Sequence, residues 1–84
     1  MTYKFISLVE SQQTHNIAPG DPISYTVPVY TLTYEVDGEW GSLIAPVTKD
    51  AQTRIPDSSY VGSRWADDEH TTLVLVFEGE RSYA

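Results

Sequence analysis

The stretch Leu32-Thr33-Tyr34-Glu35-Val36-Asp37-Gly38-Glu39-Trp40-Gly41-Ser42-Leu43 carries the most definite fold signal in the chain. Asp-Gly is a preferred pair for a two-residue type I′ turn, in which both central residues take φ > 0. Pairing Val36 with Glu39 across that turn sets Tyr34 opposite Gly41, Leu32 opposite Leu43 and Tyr30 opposite Ala45. One face of the resulting hairpin collects Tyr30, Leu32, Tyr34, Val36, Leu43 and Ala45 and reads as a core. The other carries Thr31, Thr33, Glu35, Ser42 and Ile44, with Trp40 as its one large ring. The expectation is a β-hairpin over 32–43 in a sheet packed on one side.

Outward from this hairpin the chain reads as strands. Tyr3 to Glu10 mixes apolar, β-branched and aromatic residues and forms a first strand, with Ser11 to Pro22 as its exit loop around the Pro19-Gly20 turn signal. Ile23 to Val36 has strand character throughout but changes phase: Ile23, Tyr25, Val27 and Val29 are apolar at odd positions, Tyr30, Leu32, Tyr34 and Val36 at even ones. Because Pro28 lacks a ladder donor and precedes the switch, a bulge or bend is expected there. The second hairpin arm, Trp40 to Ala45, stops at Pro46. Leu73 to Phe77 is apolar at all five positions, the pattern of a central strand covered on both sides. A short ending follows at Arg81 to Tyr83, after a bend at Gly79. These elements predict an all-β domain, a small antiparallel barrel or sandwich of four to five strands.

Residues 46–72 are the exception, a long loop without sustained period. One helical turn is expected at Thr48 to Arg54, N-capped by Thr48 and ended by Pro56, and a second short element, helix or edge strand, at Ser58 to Trp65.

Eighty-four residues make one small domain that buries about 60 to 65% of its unfolded surface. With no cysteine, neither a disulfide nor a thiolate metal site supports it, so association with its own copies is expected. Twelve acidic against five basic residues give a net charge of −7. Such a surface repels phosphate and anionic lipid, which argues against direct binding of nucleic acid or membrane. No apolar run approaches the roughly twenty residues of a spanning helix, and Phe5 to Val9 is too short for a signal-peptide core, so a cytoplasmic protein is expected.

No enzyme motif is present: the serines lack the nucleophile-elbow frame, the glycines are dispersed, and His15 and His70 fall in separate polar loops. Asp67-Asp68-Glu69-His70 lacks the ligand spacing of a calcium loop and reads as a solvated lead-in to the apolar run. Neither a cofactor nor a metal is implied. The surplus lies in the rings: six tyrosines and two tryptophans against two phenylalanines. Such polar-handled rings are enriched at interfaces. Trp40, Arg54, Tyr60, Arg64 and Trp65 are therefore the candidate binding residues, the alternative for Trp40 and Trp65 being a second layer of core. The expected function is a non-catalytic interaction protein, of the small accessory or inhibitor kind found among viral proteins, that binds a protein partner or its own copies. Two other readings are a domain that sequesters a small planar or anionic ligand between these rings and arginines, and an acidic decoy of a nucleic-acid-binding protein built on Glu35, Asp37, Glu39, Glu78 and Glu80.

Overall fold

The computed structural model describes residues 2–16 and 24–83. Among these residues, five antiparallel strands form one open sheet and a single helix lies on one of its faces. The elements run β1 (Thr2–Asn16), β2 (Ser24–Asp37), α1 (Trp40–Arg54), β3 (Ser59–Trp65), β4 (Thr72–Glu78) and β5 (Ser82–Tyr83). The sheet order is β1-β2-β4-β3, with β5 on β2 beyond the end of β4. The all-β class and the strand number match the sequence reading. As expected, Leu73 to Phe77 is central, held between β2 and β3.

The principal correction concerns 32–43. Asp37-Gly38 does turn the chain, with Gly38 at φ 137, but the turn leads into α1 rather than back along β2. The reason lies in how much each arrangement buries. A hairpin arm over 40–45 would bring Leu43 and Ala45 to the core, whereas the helix brings Leu43, Val47 and Ala51, spaced by four, onto the sheet, with Ile55 following. They meet Leu32, Tyr34 and Val36 of β2 and Leu73, Leu75 and Phe77 of β4 in one cluster. Leu32 and Leu43 are thus both buried core residues, as expected, but belong to different layers. The backbone of Glu39 starts the helix, its carbonyl accepting from Ser42 and Leu43 N–H at 3.0 and 3.2 Å. Pro46 sits inside α1 instead of ending a strand. Ile55, held out of helical geometry ahead of Pro56, terminates it.

Residues 46–72 are therefore not one long loop. They hold the last two turns and more of α1 and the edge strand β3, which falls within the Ser58 to Trp65 window. The helix begins eight residues before the expected cap at Thr48. β1 extends through Asn16, absorbing the first half of the predicted exit loop; Ile17 to Ile23, including the Pro19-Gly20 turn, lie outside the described residues.

No bulge occurs at Pro28. The β1–β2 ladder passes it in register, Gln12 opposite Pro28, and the phase change is resolved by sending the two apolar sets to the two sheet faces. Tyr30, Leu32, Tyr34 and Val36 face α1, while Val27 and Val29 face away. Pro28 stands where β2 passes from pairing with β4 to pairing with β5, and its carbonyl accepts Gly79 N–H at 2.9 Å, so the missing proline donor interrupts no ladder. The register shifts lie elsewhere, between Phe5 and Ser7 in β1 and between Tyr60 and Gly62 in β3.

Candidate functional site

The bulge in β3 decides which candidate residues meet. In a regular strand Tyr60 and Arg64, four apart, would share a face, and Trp65 would oppose them. The extra residue at Val61 reverses this. Tyr60 pairs with Phe77, Ser63 with Leu75 and Trp65 with Leu73, all on the helix side, while Arg64 pairs with Val74 on the other.

Trp65 and Trp40 are both half-buried against the core and meet edge to face, with ring centroids 6.4 Å apart at 79°. His70, at φ 58, lays its imidazole on the Trp65 indole at 4.7 Å and 14°. One indole face is thus already occupied. The intervening loop is pinned by Asp67, whose carboxylate accepts from the Thr71 hydroxyl and from Thr71 and Thr72 N–H at 3.0 and 3.1 Å. The Thr71 hydroxyl, followed by the Thr72 amide, holds the Asp67 carboxyl below the usual carboxylate range. This aspartate organises a turn that presents His70 to Trp65.

Ile44, one helical turn beyond Trp40, continues the same stripe of α1 and is 43% exposed. Beside it opens a shallow groove of about 740 Å³, lined by Ile44, Ala45, Thr48, Gln52 and Pro56 with Tyr60 from β3. Tyr60 packs edge to face on Phe77 at 5.6 Å, gives its hydroxyl proton to Ser63 at 2.9 Å, and remains 44% exposed. The groove floor is held by Gln52, whose amide donates to the carbonyls of Ile55 and Ser58 at 3.1 and 2.7 Å and ties the helix end to the start of β3.

Arg54 stands apart from this band. Its Nε donates to Asp50 at 3.0 Å and its guanidinium lies 3.7 Å over the Phe5 ring. Asp50 also accepts the hydroxyl of the fully buried Tyr34 at 2.5 Å. The Tyr34 hydroxyl bond, aided by Arg54, lowers the Asp50 carboxyl, and burial, reinforced by Asp50, pushes the Tyr34 phenol up, so this tyrosine stays neutral. Arg54 therefore helps fasten α1 to β1 and β2.

Of the five candidates, Trp40, Tyr60 and Trp65 share the helix side beside β3. Arg54 belongs to a structural network, and Arg64 lies on the opposite face. Sequence reasoning missed Ile44, Pro56 and His70 as members of this surface; the four-residue spacing from Trp40 to Ile44 was the available signal for the first. No family model, curated protein or solved structure matches the chain.

Proposed function

We propose that the protein is a non-catalytic interaction domain that recognises a protein partner through the band His70–Trp65–Trp40–Ile44–Tyr60 and its groove. The observation that carries this reading is the groove between α1 and β3, where Ile44 and Tyr60 stand together, both more than two-fifths exposed. Neither is needed to fill the core, which closes beneath them on Leu43, Val47 and Phe77. Tyrosine and tryptophan anchors in apolar depressions are where interface energy concentrates. A net charge of −7 directs the band toward a neutral or basic protein surface.

A photoreactive phenylalanine at position 60, introduced in the native host cell, should cross-link one discrete protein. With that protein purified, Ile44→Asp and Tyr60→Ala should each weaken binding about 30-fold or more, the scale of a hot-spot residue. Far-UV circular dichroism should remain unchanged. Undiminished affinity in the double variant would overturn the assignment.

A further inference from the structure

Among the described residues no strand lies beyond β3, so its outer edge carries backbone groups without a ladder partner. One bond shows which groups these are. Ala66 N–H donates to the Thr72 carbonyl at 2.9 Å, and Ala66 stands opposite Thr72 one step past the Trp65–Leu73 pair of the β3–β4 register. That is a hydrogen-bonded pair, and in an antiparallel ladder such pairs alternate with pairs that exchange no bond. Arg64 and Gly62 therefore turn their N–H and C=O groups to β4. Ser63 and Trp65 turn theirs outward, and both residues belong to the helix side of the strand.

This edge borders the groove. α1 and β3 run side by side: Trp40 meets Trp65 at one end, and Gln52 bonds the Ser58 carbonyl at the other, with Tyr60 lining the space between. A strand added outside β3 would send every second side chain toward the helix, about 6.8 Å apart. Ile44 and Thr48 stand one turn, about 6 Å, apart on the flank that receives them. The edge also lacks the usual guards against pairing. Ser59–Trp65 holds neither proline nor lysine, and its one charge, Arg64, lies on the opposite face. The bulge at Val61 limits the regular edge to Gly62–Trp65, room for a short segment rather than a long sheet strand. Glu39, before Trp40, and Asp68 and Glu69, in the loop after Trp65, are exposed at one end of the groove, and Asp57, after Pro56, at the other; against them stands Lys49 in the lining.

Resting on the reading of this groove as the partner site, we infer that its occupant is an extended peptide segment of the partner, added as a strand to the outer edge of β3. The segment bonds the backbone of Ser63 and Trp65, lays apolar side chains at alternate positions against Ile44 and Tyr60, and carries lysine or arginine at its ends. Main-chain bonds supply affinity that any extended segment shares, and the alternate side chains in the groove select among segments.

The probe is a phage-displayed library of random peptides selected on the full chain, followed by synthetic copies of a recovered peptide. Recovered peptides should carry apolar residues two apart, flanked by basic ones. Single backbone N-methylations should weaken binding about tenfold at alternate residues and change nothing at those between, since only every second N–H reaches β3. Ser63→Pro, which removes an outward donor and no bond to β4, should weaken binding about as much in a folded chain. In the free chain the Ser63 and Trp65 amides should exchange with solvent faster than that of Arg64, and the peptide should slow those two about tenfold or more. N-methylation tolerated at every position, Ser63 and Trp65 amides indifferent to the peptide, or a library yielding no peptide weakened by Tyr60→Ala would each overturn the strand pairing. Should Ser63→Pro fail to fold, the methylated peptides and the exchange rates decide alone. The groove itself is judged separately, by the response of the cross-linked partner to Ile44→Asp and Tyr60→Ala.

Discussion

Removing either end of the Tyr34–Asp50 hydrogen bond should have unequal consequences. Tyr34 is fully buried, whereas the Asp50 side chain is 30% exposed and keeps Arg54 as a second partner. In Tyr34→Phe the carboxylate exchanges a hydroxyl for water, so the loss is the net value of one hydrogen bond to a charged group in a partly solvated setting, about 1 to 1.5 kcal/mol. In Asp50→Ala the tyrosine hydroxyl is left buried without an acceptor. That adds a desolvation cost of about 1 to 3 kcal/mol, against which the better helix propensity of alanine returns at most about 0.7 kcal/mol. The Asp50–Arg54 pair is exposed and contributes little. Asp50→Ala should therefore destabilise by about 2 to 3 kcal/mol, and Tyr34→Phe added to it should be neutral or stabilising. Urea unfolding followed by tryptophan fluorescence, with all four members of the cycle, measures this. Additive single effects, or a Tyr34→Phe loss exceeding that of Asp50→Ala, would refute the assignment of the bond as the buried tie between helix and sheet.

Four further outcomes are expected. Pro46→Ala should stabilise by about 1 to 3 kcal/mol in thermal or urea unfolding, because an interior helical proline forfeits a hydrogen bond and crowds the preceding turn; a neutral effect would speak for a strand end instead. Gly79→Ala should destabilise by about 1 to 3 kcal/mol, since its Cβ would stand 2.6 Å from the Pro28 ring, and full wild-type stability would show that β2 and the β4–β5 bend yield freely there. Leu32→Ala, fully buried under α1, should cost about 2 to 5 kcal/mol in the same assay. Asp50 and Asp67 are both lowered in the folded state, so the stability they contribute is complete above the unfolded carboxylate value of about 4 and is lost as pH falls below it. Asp50→Asn should flatten the acid limb of the stability–pH curve, and an unchanged slope would contradict the depressed carboxyl.

The strands were legible because their signal is local. Val29 to Val36 and Leu73 to Phe77 declare their faces by alternation or by continuous apolarity, whatever packs on them. The helix was not, because over 40–45 the order Trp-Gly-Ser-Leu-Ile-Ala fits period two about as well as period 3.6, and Asp37-Gly38 favours the hairpin. Only the longer window, Leu43, Val47, Ala51 and Ile55, separates the two, and Pro46 in its middle masks it. Trp40, Tyr60 and Trp65 lie on one side of the sheet, the first on α1 and the other two on β3, and both tryptophans pack in part against the core. The bulge at Val61 sets Arg64 on the sheet face opposite Tyr60. Nothing in Tyr60-Val61-Gly62-Ser63 distinguishes a bulged strand from a straight one. The contacts of Arg54 with Phe5, far away in sequence, and with Asp50 beside Tyr34 have no local signal in the sequence.

The groove beside Tyr60 exists only if residues 40–54 form a helix on one side of the sheet. Proton NMR of the native chain tests this most directly. Consecutive amide–amide Overhauser contacts should run from Gly41 to Arg54, broken only at Pro46, and the methyls of Leu43, Val47 and Ala51 should show contacts into the cluster of Leu32, Tyr34, Leu75 and Phe77. Cross-strand α-proton contacts linking 31–35 to 40–44 would instead show the hairpin, and would contradict the helix together with the groove built on it.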